Sequence, residues 1–126
     1  MVKHIFLIAL AFAVFISISG CHKNQTFDRE KWNMGDGLTF PVRDMIVNDL
    51  VQNHKLKGLK YLQVRHLLRY PQYRDSTKFS YEIIETHTNM LKPDHIKNLI
   101  FYMTKDSVVT KVEIYDNKAN PKSTFY

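Results

Sequence analysis

The side chains of this 126-residue chain that could do chemistry include a single cysteine, six histidines and 12 carboxylates. The cysteine, Cys21, directly follows the small residues Ser19 and Gly20 at the end of an apolar stretch. One thiol can form neither an internal disulfide nor a thiolate-rich zinc site. We therefore expect any chemistry at Cys21 to be modification of its sulfur atom.

The histidines and carboxylates form no local pattern that is typical of catalysis or metal binding. After residue 20, histidines stand at positions 22, 54, 66, 87 and 95, so none is two or four residues from another. Glu82 and Glu85 have an odd separation in a predicted strand, which puts them on opposite faces. The sequence has neither a Gly-rich phosphate loop nor a nucleophile elbow. We expect no catalytic residue, metal, cofactor or small-molecule substrate, although His87 and His95 could converge in space.

The first 20 residues are typical of an export signal. Lys3 supplies a positive start, and residues 5–16 are twelve uninterrupted apolar positions. Such a run is shorter than the roughly 20 residues that cross a bilayer but fits a signal peptide, whose apolar region has about 7–15. Residues 18–21, Ile-Ser-Gly-Cys, resemble the lipobox of bacterial lipoproteins. The resemblance implies cleavage after Gly20, a diacylglyceryl group on the Cys21 sulfur and acylation of the new amino group. The alternative is an ordinary thiol beside a conventional cleavage site.

The rest of the chain divides into a tether, one domain and a tail. Residues 21–38 are predicted to be a lipid anchor and tether, in which Asp28 caps a short helical turn and Trp32 packs against the domain. Residues 39–116 are predicted to be one α+β domain and residues 117–126 a C-terminal tail. The anchor would hold the protein on a bilayer, because each buried acyl CH₂ contributes about 0.8 kcal/mol. The absence of an acidic run after Cys21 favours the periplasmic side of the outer membrane.

Two helices followed by three strands are predicted for the domain. Apolar residues recur at helical spacing over 41–54, with Thr39 as candidate N-cap, and over 60–70, where Pro71 stops the helix. Alternating apolar residues predict three strands, of which the last two pair as a hairpin, over 78–87, 98–104 and 108–116. This order predicts the α+β class, with two N-terminal helices packed on one face of a three-stranded antiparallel sheet.

One pattern of residues extends over about residues 39–116: Arg43, Met45, Asp49, Leu50, Leu56, Gly58, Val64, Leu67, Leu68, Pro71 and a hairpin centred on Asp106. This pattern resembles the BamE/SmpA/OmlA family of outer-membrane lipoproteins. The resemblance implies two helices on a three-stranded antiparallel sheet, a fold shared with the repeat of the β-lactamase inhibitor protein. The family usually has Leu-Gly-x-Pro at the end of the second helix. Here residues 68–71 are Leu-Arg-Tyr-Pro, so we expect a different helix end.

Positive charge is concentrated in one segment. Residues 55–78 carry seven Lys or Arg and one acid, a net charge of +6, whereas the rest of the chain after residue 20 has a net charge of −1. The candidate contact residues are Lys57, Lys60, Arg65, Arg69 and Arg74. Three interpretations stay open: a solvated helix face, contact with anionic head groups at about 1 kcal/mol per cation, or docking on an acidic envelope protein. Nucleic acid fits the charge but not an exported protein.

These features predict a membrane-anchored envelope lipoprotein that acts without catalysis. It would be a protein-interaction or scaffold module with a role in outer-membrane assembly or maintenance. The alternative is a periplasmic inhibitor or immunity-type protein that binds and neutralises an enzyme or toxin. That alternative depends on the resemblance to the β-lactamase inhibitor, which carries two copies of the unit where this chain has room for one.

Overall fold

Three helices and four strands make up the part of the chain that the computed structural model describes, residues 24–88 and 90–118. The helices are α1 (Arg29–Trp32), α2 (Arg43–Asn53) and α3 (Tyr61–Leu68). The strands are β1 (Tyr73–Arg74), β2 (Lys78–Thr86), β3 (His95–Met103) and β4 (Val109–Lys118). Within these ranges no helix combines the length and the apolar character that crossing a bilayer requires.

The four strands form one antiparallel sheet in the order β1-β2-β3-β4. The predicted α+β class is confirmed, and β3 and β4 pair antiparallel as the predicted hairpin. The prediction of three strands is wrong, because β1 is a fourth. Its two residues, Tyr73 and Arg74, lie opposite Ser80 and Phe79 of β2. A two-residue strand is too short for alternation to be visible in the sequence.

Both hairpin strands are longer than predicted. Strand β3 begins at His95 rather than at residue 98, and β4 continues to Lys118, two residues into the predicted tail. His95 and Lys118 lie opposite each other. The backbone groups of these strand ends therefore have partners, although the sequence there does not alternate. Residues 119–126 of the predicted tail lie outside the described residues.

The helices and the sheet bury one apolar cluster between them. The strands contribute Phe79, Tyr81, Ile83, Leu99, Phe101, Met103 and Val109. The helices contribute Trp32 from α1, Ile46, Val47 and Leu50 from α2, and Tyr61, Val64 and Leu68 from α3. The Phe79 and Phe101 rings stack with their centroids 4.8 Å apart. Each fully buried side chain of this kind contributes about 1.5–3 kcal/mol, so the cluster holds the helices on one face of the sheet.

Helix α1 is additional to the two predicted helices. Asp28 caps it as expected, because the Asp28 Oδ1 atom accepts a hydrogen bond from the Lys31 N–H at 2.9 Å. Trp32 is fully buried and packs against the rings of Phe27 and Tyr81. The prediction that Trp32 is a packing residue is confirmed, and the packed part of the chain therefore begins before residue 39.

Helix α2 starts later than predicted and is not capped by Thr39. Val42 precedes the helix and makes no side-chain capping hydrogen bond. The Thr39 N–H instead donates to the Asp36 Oδ1 atom at 2.7 Å. Asp36 can satisfy this loop amide because a carboxylate three residues upstream closes a turn of this kind. Thr39 thus belongs to the loop between α1 and α2.

Helix α3 ends at Leu68, before the predicted end at Tyr70. The next residue, Arg69, has φ 66° and ψ −155°, a conformation that is essentially restricted to glycine. Arg69 occupies the position at which the Leu-Gly-x-Pro pattern has its glycine. The backbone therefore makes a glycine-type turn there although the residue is an arginine.

Candidate functional site

Helix α3 carries most of the predicted contact residues on or beside its outward side. Tyr61, Val64 and Leu68 recur at i, i+3 and i+7 and are buried against the sheet. Leu67 packs against the same core, whereas Leu62 faces away from it and is 63% exposed. The buried stripe thus fixes the orientation of the helix and leaves one large apolar side chain exposed among cations.

The cations of segment 55–78 have no carboxylate partner among the described residues. The ion pairs within those residues are His54–Asp49, His87–Glu85, His95–Asp116, Lys97–Asp44, Lys97–Asp116 and Lys111–Glu113. All of them involve cations outside the segment. Unpaired like charges raise the electrostatic energy of a surface, and an anionic partner would relieve that repulsion.

The one acid of the segment, Asp75, closes the turn between β1 and β2. Its Oδ1 atom accepts hydrogen bonds from the Thr77 and Lys78 N–H groups at 2.7 and 2.9 Å. Its Oδ2 atom accepts from the Tyr73 hydroxyl at 2.8 Å. These hydrogen bonds, that of the Thr77 N–H first, hold the pKa of Asp75 well below its usual value. The carboxylate is therefore engaged in the turn rather than in an ion pair with a cation of the segment.

Two arginines of the segment lie over tyrosine rings. The guanidinium carbon of Arg74 is 3.8 Å from the ring centroid of Tyr61, and that of Arg65 is 4.9 Å from the ring centroid of Tyr70. Stacking of this kind fixes the plane of a guanidinium group and leaves its N–H groups at the edge. Both arginines are thereby oriented in advance of any contact with an anion.

Two open grooves flank the ridge that Leu62 and Arg65 form. The first lies between α3 and the β3–β4 turn, has a volume of about 330 Å³ and is lined by Lys60, Arg65 and Arg74 together with Asp106. The second, which we term the α1–α3 groove, also has a volume of about 330 Å³ and is lined by Arg29, Leu62, Arg65, His66, Arg69 and Tyr70. We term the cations of both grooves the basic surface: Arg29, Lys60, Arg65, Arg69 and Arg74.

The structure brings together four of the five predicted contact residues and adds one that the prediction missed. Lys57 lies apart, in a groove with Val51 and Val112. Arg29 joins the surface because the burial of Trp32 docks α1 beside α3. The aromatic pair at 27 and 32 was the only sequence signal for that docking. Cys21 lies outside the described residues, so its lipidation stays a prediction.

The prediction that Glu82 and Glu85 lie on opposite faces of a strand is wrong. The register of β2 shifts between Glu82 and Ile84, so that Glu82 lies opposite Asn98 and Glu85 opposite Ile96. Residues opposite each other point to the same side, and positions 96 and 98 share a face. The bulge therefore returns both carboxylates to one face. Burial, followed by repulsion from the Glu85 carboxylate, raises the pKa of Glu82.

No group of three or more His, Cys, Asp and Glu residues within 24–88 and 90–118 could hold a metal ion. His87 and His95 contact different carboxylates: the His87 Nε2 atom is 2.8 Å from Glu85 Oε1, and the His95 Nε2 atom is 2.6 Å from Asp116 Oδ1. The basic surface is thus the main candidate, within the described chain, for binding a partner of opposite charge.

Comparison with known proteins adds no relative: no protein-family model, no curated protein and no solved structure matches this chain. The resemblance to the BamE/SmpA/OmlA lipoproteins therefore stays a prediction, carried by the residues named above.

Proposed function

We propose that this protein is a lipid-anchored envelope protein that acts without catalysis by binding an anionic partner through the basic surface. The observation that carries the proposal is that five cations converge around two open grooves while the ion pairs of the described residues lie elsewhere. If the cations were only solvated, nothing would require Arg65 and Arg74 to stack on tyrosine rings beside the exposed Leu62. Arginine and tyrosine are also enriched in protein interfaces.

The docked N-terminal segment supports a position of the domain close to the membrane. The Gln25 N–H donates to the Met45 carbonyl oxygen, and the Phe27 N–H donates to Asp49 Oδ2, each at 2.7 Å. Three residue steps therefore separate Cys21 from residue 24, a distance of at most roughly 10 Å at about 3.3–3.6 Å per residue. An anchored domain would stay close to the bilayer, within reach of anionic head groups or of an acidic membrane protein. The resemblance to the BamE-type family supports a role in outer-membrane assembly or maintenance.

The test is carried out on the full chain in a bacterial envelope. We expect Cys21→Ser to remove acyl labelling and to move the protein from the membrane fraction to the soluble fraction. We expect Lys60→Glu/Arg74→Glu to lose cross-links to its envelope partner while staying in the membrane fraction, because charge reversal repels an anionic partner. Lys105→Glu/Lys118→Glu, at exposed positions outside the basic surface, is the matched control. Unchanged cross-links in the first double variant would remove the basic surface from the function.

A second candidate is a binding protein that neutralises an enzyme or toxin. The observation that favours it is the sheet face away from the helices, where a groove of about 390 Å³ is lined by residues including Tyr73, Ile100 and Tyr115. Tyr73 and Tyr115 are exposed, and tyrosines on an open face are suited to protein contacts. Loss of cross-links in Tyr73→Ala/Tyr115→Ala, with the basic-surface variant unaffected, would favour this candidate over the first.

A further inference from the structure

We infer that the α1–α3 groove binds a phosphomonoester group. The inference rests on the proposed function, because it assigns a ligand class to one part of the basic surface. The groove gathers Arg29 from α1 with Arg65 and Arg69 from the end of α3, and His66 lies beside them.

The two grooves of the basic surface differ in charge. The groove between α3 and the β3–β4 turn includes the carboxylate of Asp106. The described lining of the α1–α3 groove has three guanidinium groups, one imidazole and no carboxylate. A carboxylate in a groove repels a second anion, so the groove without one is the better site for a doubly charged ligand.

The donors of the α1–α3 groove match a phosphomonoester better than a carboxylate. A phosphomonoester carries about −1.5 to −2 charges at neutral pH and three terminal oxygen atoms. Three guanidinium groups can each offer paired N–H donors to those oxygens, whereas a carboxylate has one charge and two oxygens. The guanidinium carbon of Arg65 already lies 4.9 Å from the ring centroid of Tyr70, and this contact reduces the entropy that Arg65 loses on binding.

The backbone at Arg69 supports a role in binding. Arg69 adopts a conformation essentially restricted to glycine, so an arginine at this position destabilises the fold relative to glycine. The Tyr81 hydroxyl donates to the Arg69 carbonyl oxygen at 2.7 Å and holds this peptide in place. A cation in the groove accounts for an arginine at a position where the backbone favours glycine.

The inference is tested on the full chain in a nonionic detergent, titrated with glycerol 2-phosphate by calorimetry. We expect Arg29→Gln and Arg69→Gly each to weaken binding about tenfold, as the loss of one charge-assisted contact predicts. Lys105→Gln, at an exposed position outside the basic surface, is the control and should bind within about twofold of the wild type. Arg69→Gly should also melt at a higher temperature than the wild type, which separates lost binding from lost folding.

Three outcomes would overturn the inference: wild-type affinity in Arg69→Gly, an equal loss in Lys105→Gln, or succinate binding as tightly as glycerol 2-phosphate. Equally tight binding of succinate would indicate a carboxylate-rich protein as the partner, which is compatible with the proposed function. The opposite result is also possible: the protein binds glycerol 2-phosphate, but Lys60→Glu/Arg74→Glu keeps its envelope cross-links. That result would contradict the proposed function and would still support a phosphomonoester site in the α1–α3 groove. Flotation of Cys21→Ser, which lacks the proposed acyl chains, with phosphatidic acid vesicles but not with phosphatidylcholine alone identifies a lipid as the source, whereas binding of the free ligand without flotation identifies a soluble phosphomonoester.

Discussion

Arg43 is a buried cation whose hydrogen bonds link several elements. Its side chain is 2% exposed and lies 3.5 Å from the Phe40 ring centroid and 4.7 Å from that of Trp32. Its Nε atom donates to the Trp32 carbonyl oxygen at 2.9 Å, and its Nη1 atom donates to the Glu82 carbonyl oxygen at 2.7 Å and to the Gln72 Oε1 atom at 3.0 Å. Burial lowers the pKa of Arg43 to about 10, so it stays protonated at neutral pH. One guanidinium group thus joins α1, α2 and the edge of β2.

We predict that Arg43→Leu lowers the free energy of unfolding by about 3 kcal/mol or more, because it removes the charged donor of the Trp32 and Glu82 carbonyl oxygens, whereas Gln72 Oε1 keeps the Glu82 N–H. Urea denaturation followed by Trp32 fluorescence measures this loss. Arg29→Leu, at an exposed arginine, is the control and should change the free energy by less than about 0.5 kcal/mol. Equal stability of the two variants would mean that the Arg43 hydrogen bonds contribute nothing net.

At the scale of elements, the segment before α1 is fastened to α2 rather than free. Asp49 accepts a hydrogen bond from the Phe27 N–H at 2.7 Å and another from the Asn53 side-chain amide at 2.6 Å. The Phe27 hydrogen bond first, then that of Asn53, lowers the pKa of Asp49. The predicted tether is therefore shorter than its polar sequence suggests, because one carboxylate on α2 captures it.

We predict that Asp49→Ala speeds hydrogen exchange at the Phe27 amide and lowers stability at neutral pH. Since the folded-state pKa is below the unfolded value of about 3.9, the Asp49 contribution is complete above that value and is lost as pH falls through the folded pKa. The wild type should therefore lose more stability than Asp49→Ala when the pH is lowered below about 4. Urea midpoints measured across that range check the difference, and parallel curves for the two proteins would contradict it.

At the scale of the whole molecule, charge is segregated. The ion pairs of the described residues join α2 to β3, β3 to β4 and positions two or five residues apart in the chain, while the basic surface carries its cations on and around α3. The field of such a surface extends over about a Debye length, which is about 30 Å at 0.01 M salt and about 10 Å at 0.1 M. The protein therefore presents one strongly positive side.

We predict that salt stabilises the wild type more than it stabilises Lys60→Gln/Arg65→Gln/Arg74→Gln, because added ions screen the repulsion that the variant lacks. Urea midpoints at about 0.01 M and 0.1 M sodium chloride measure the effect. Lys97→Gln serves as the control, since Lys97 is paired with Asp44 at 2.6 Å. A salt response of the triple variant equal to that of the wild type would exclude repulsion within the basic surface.

Several features of the fold follow from local sequence, and others do not. The buried stripe of α3 and the alternation in β2 are visible as periods of 3.6 and 2, and Asp28 is recognisable as a cap. Strand β1 is too short to show a period. The bulge at Ile83 reverses the facing of Glu85, and it is visible only in the register of β2 against β3.

The part of the candidate site that is local in the chain was predictable from the sequence, and the rest was not. Lys60, Arg65, Arg69 and Arg74 stand close together in the chain, so their shared charge is visible in the sequence. Arg29 joins them only through the packing of α1. Lys57 is separated from them because Gly58 turns the chain at φ 86° before α3 begins.

By itself the sequence determined the α+β class, the hairpin and the location of the positive charge, because each depends on residues that are neighbours in the chain. Only the tertiary structure decided that Arg29 and Arg69 line one groove and that Arg43 is buried in the core. These outcomes depend on contacts between residues that are distant in the chain or on a backbone conformation that packing enforces. Local periodicity determines which side of an element is buried, whereas the partner it meets is set by how the elements close around one core.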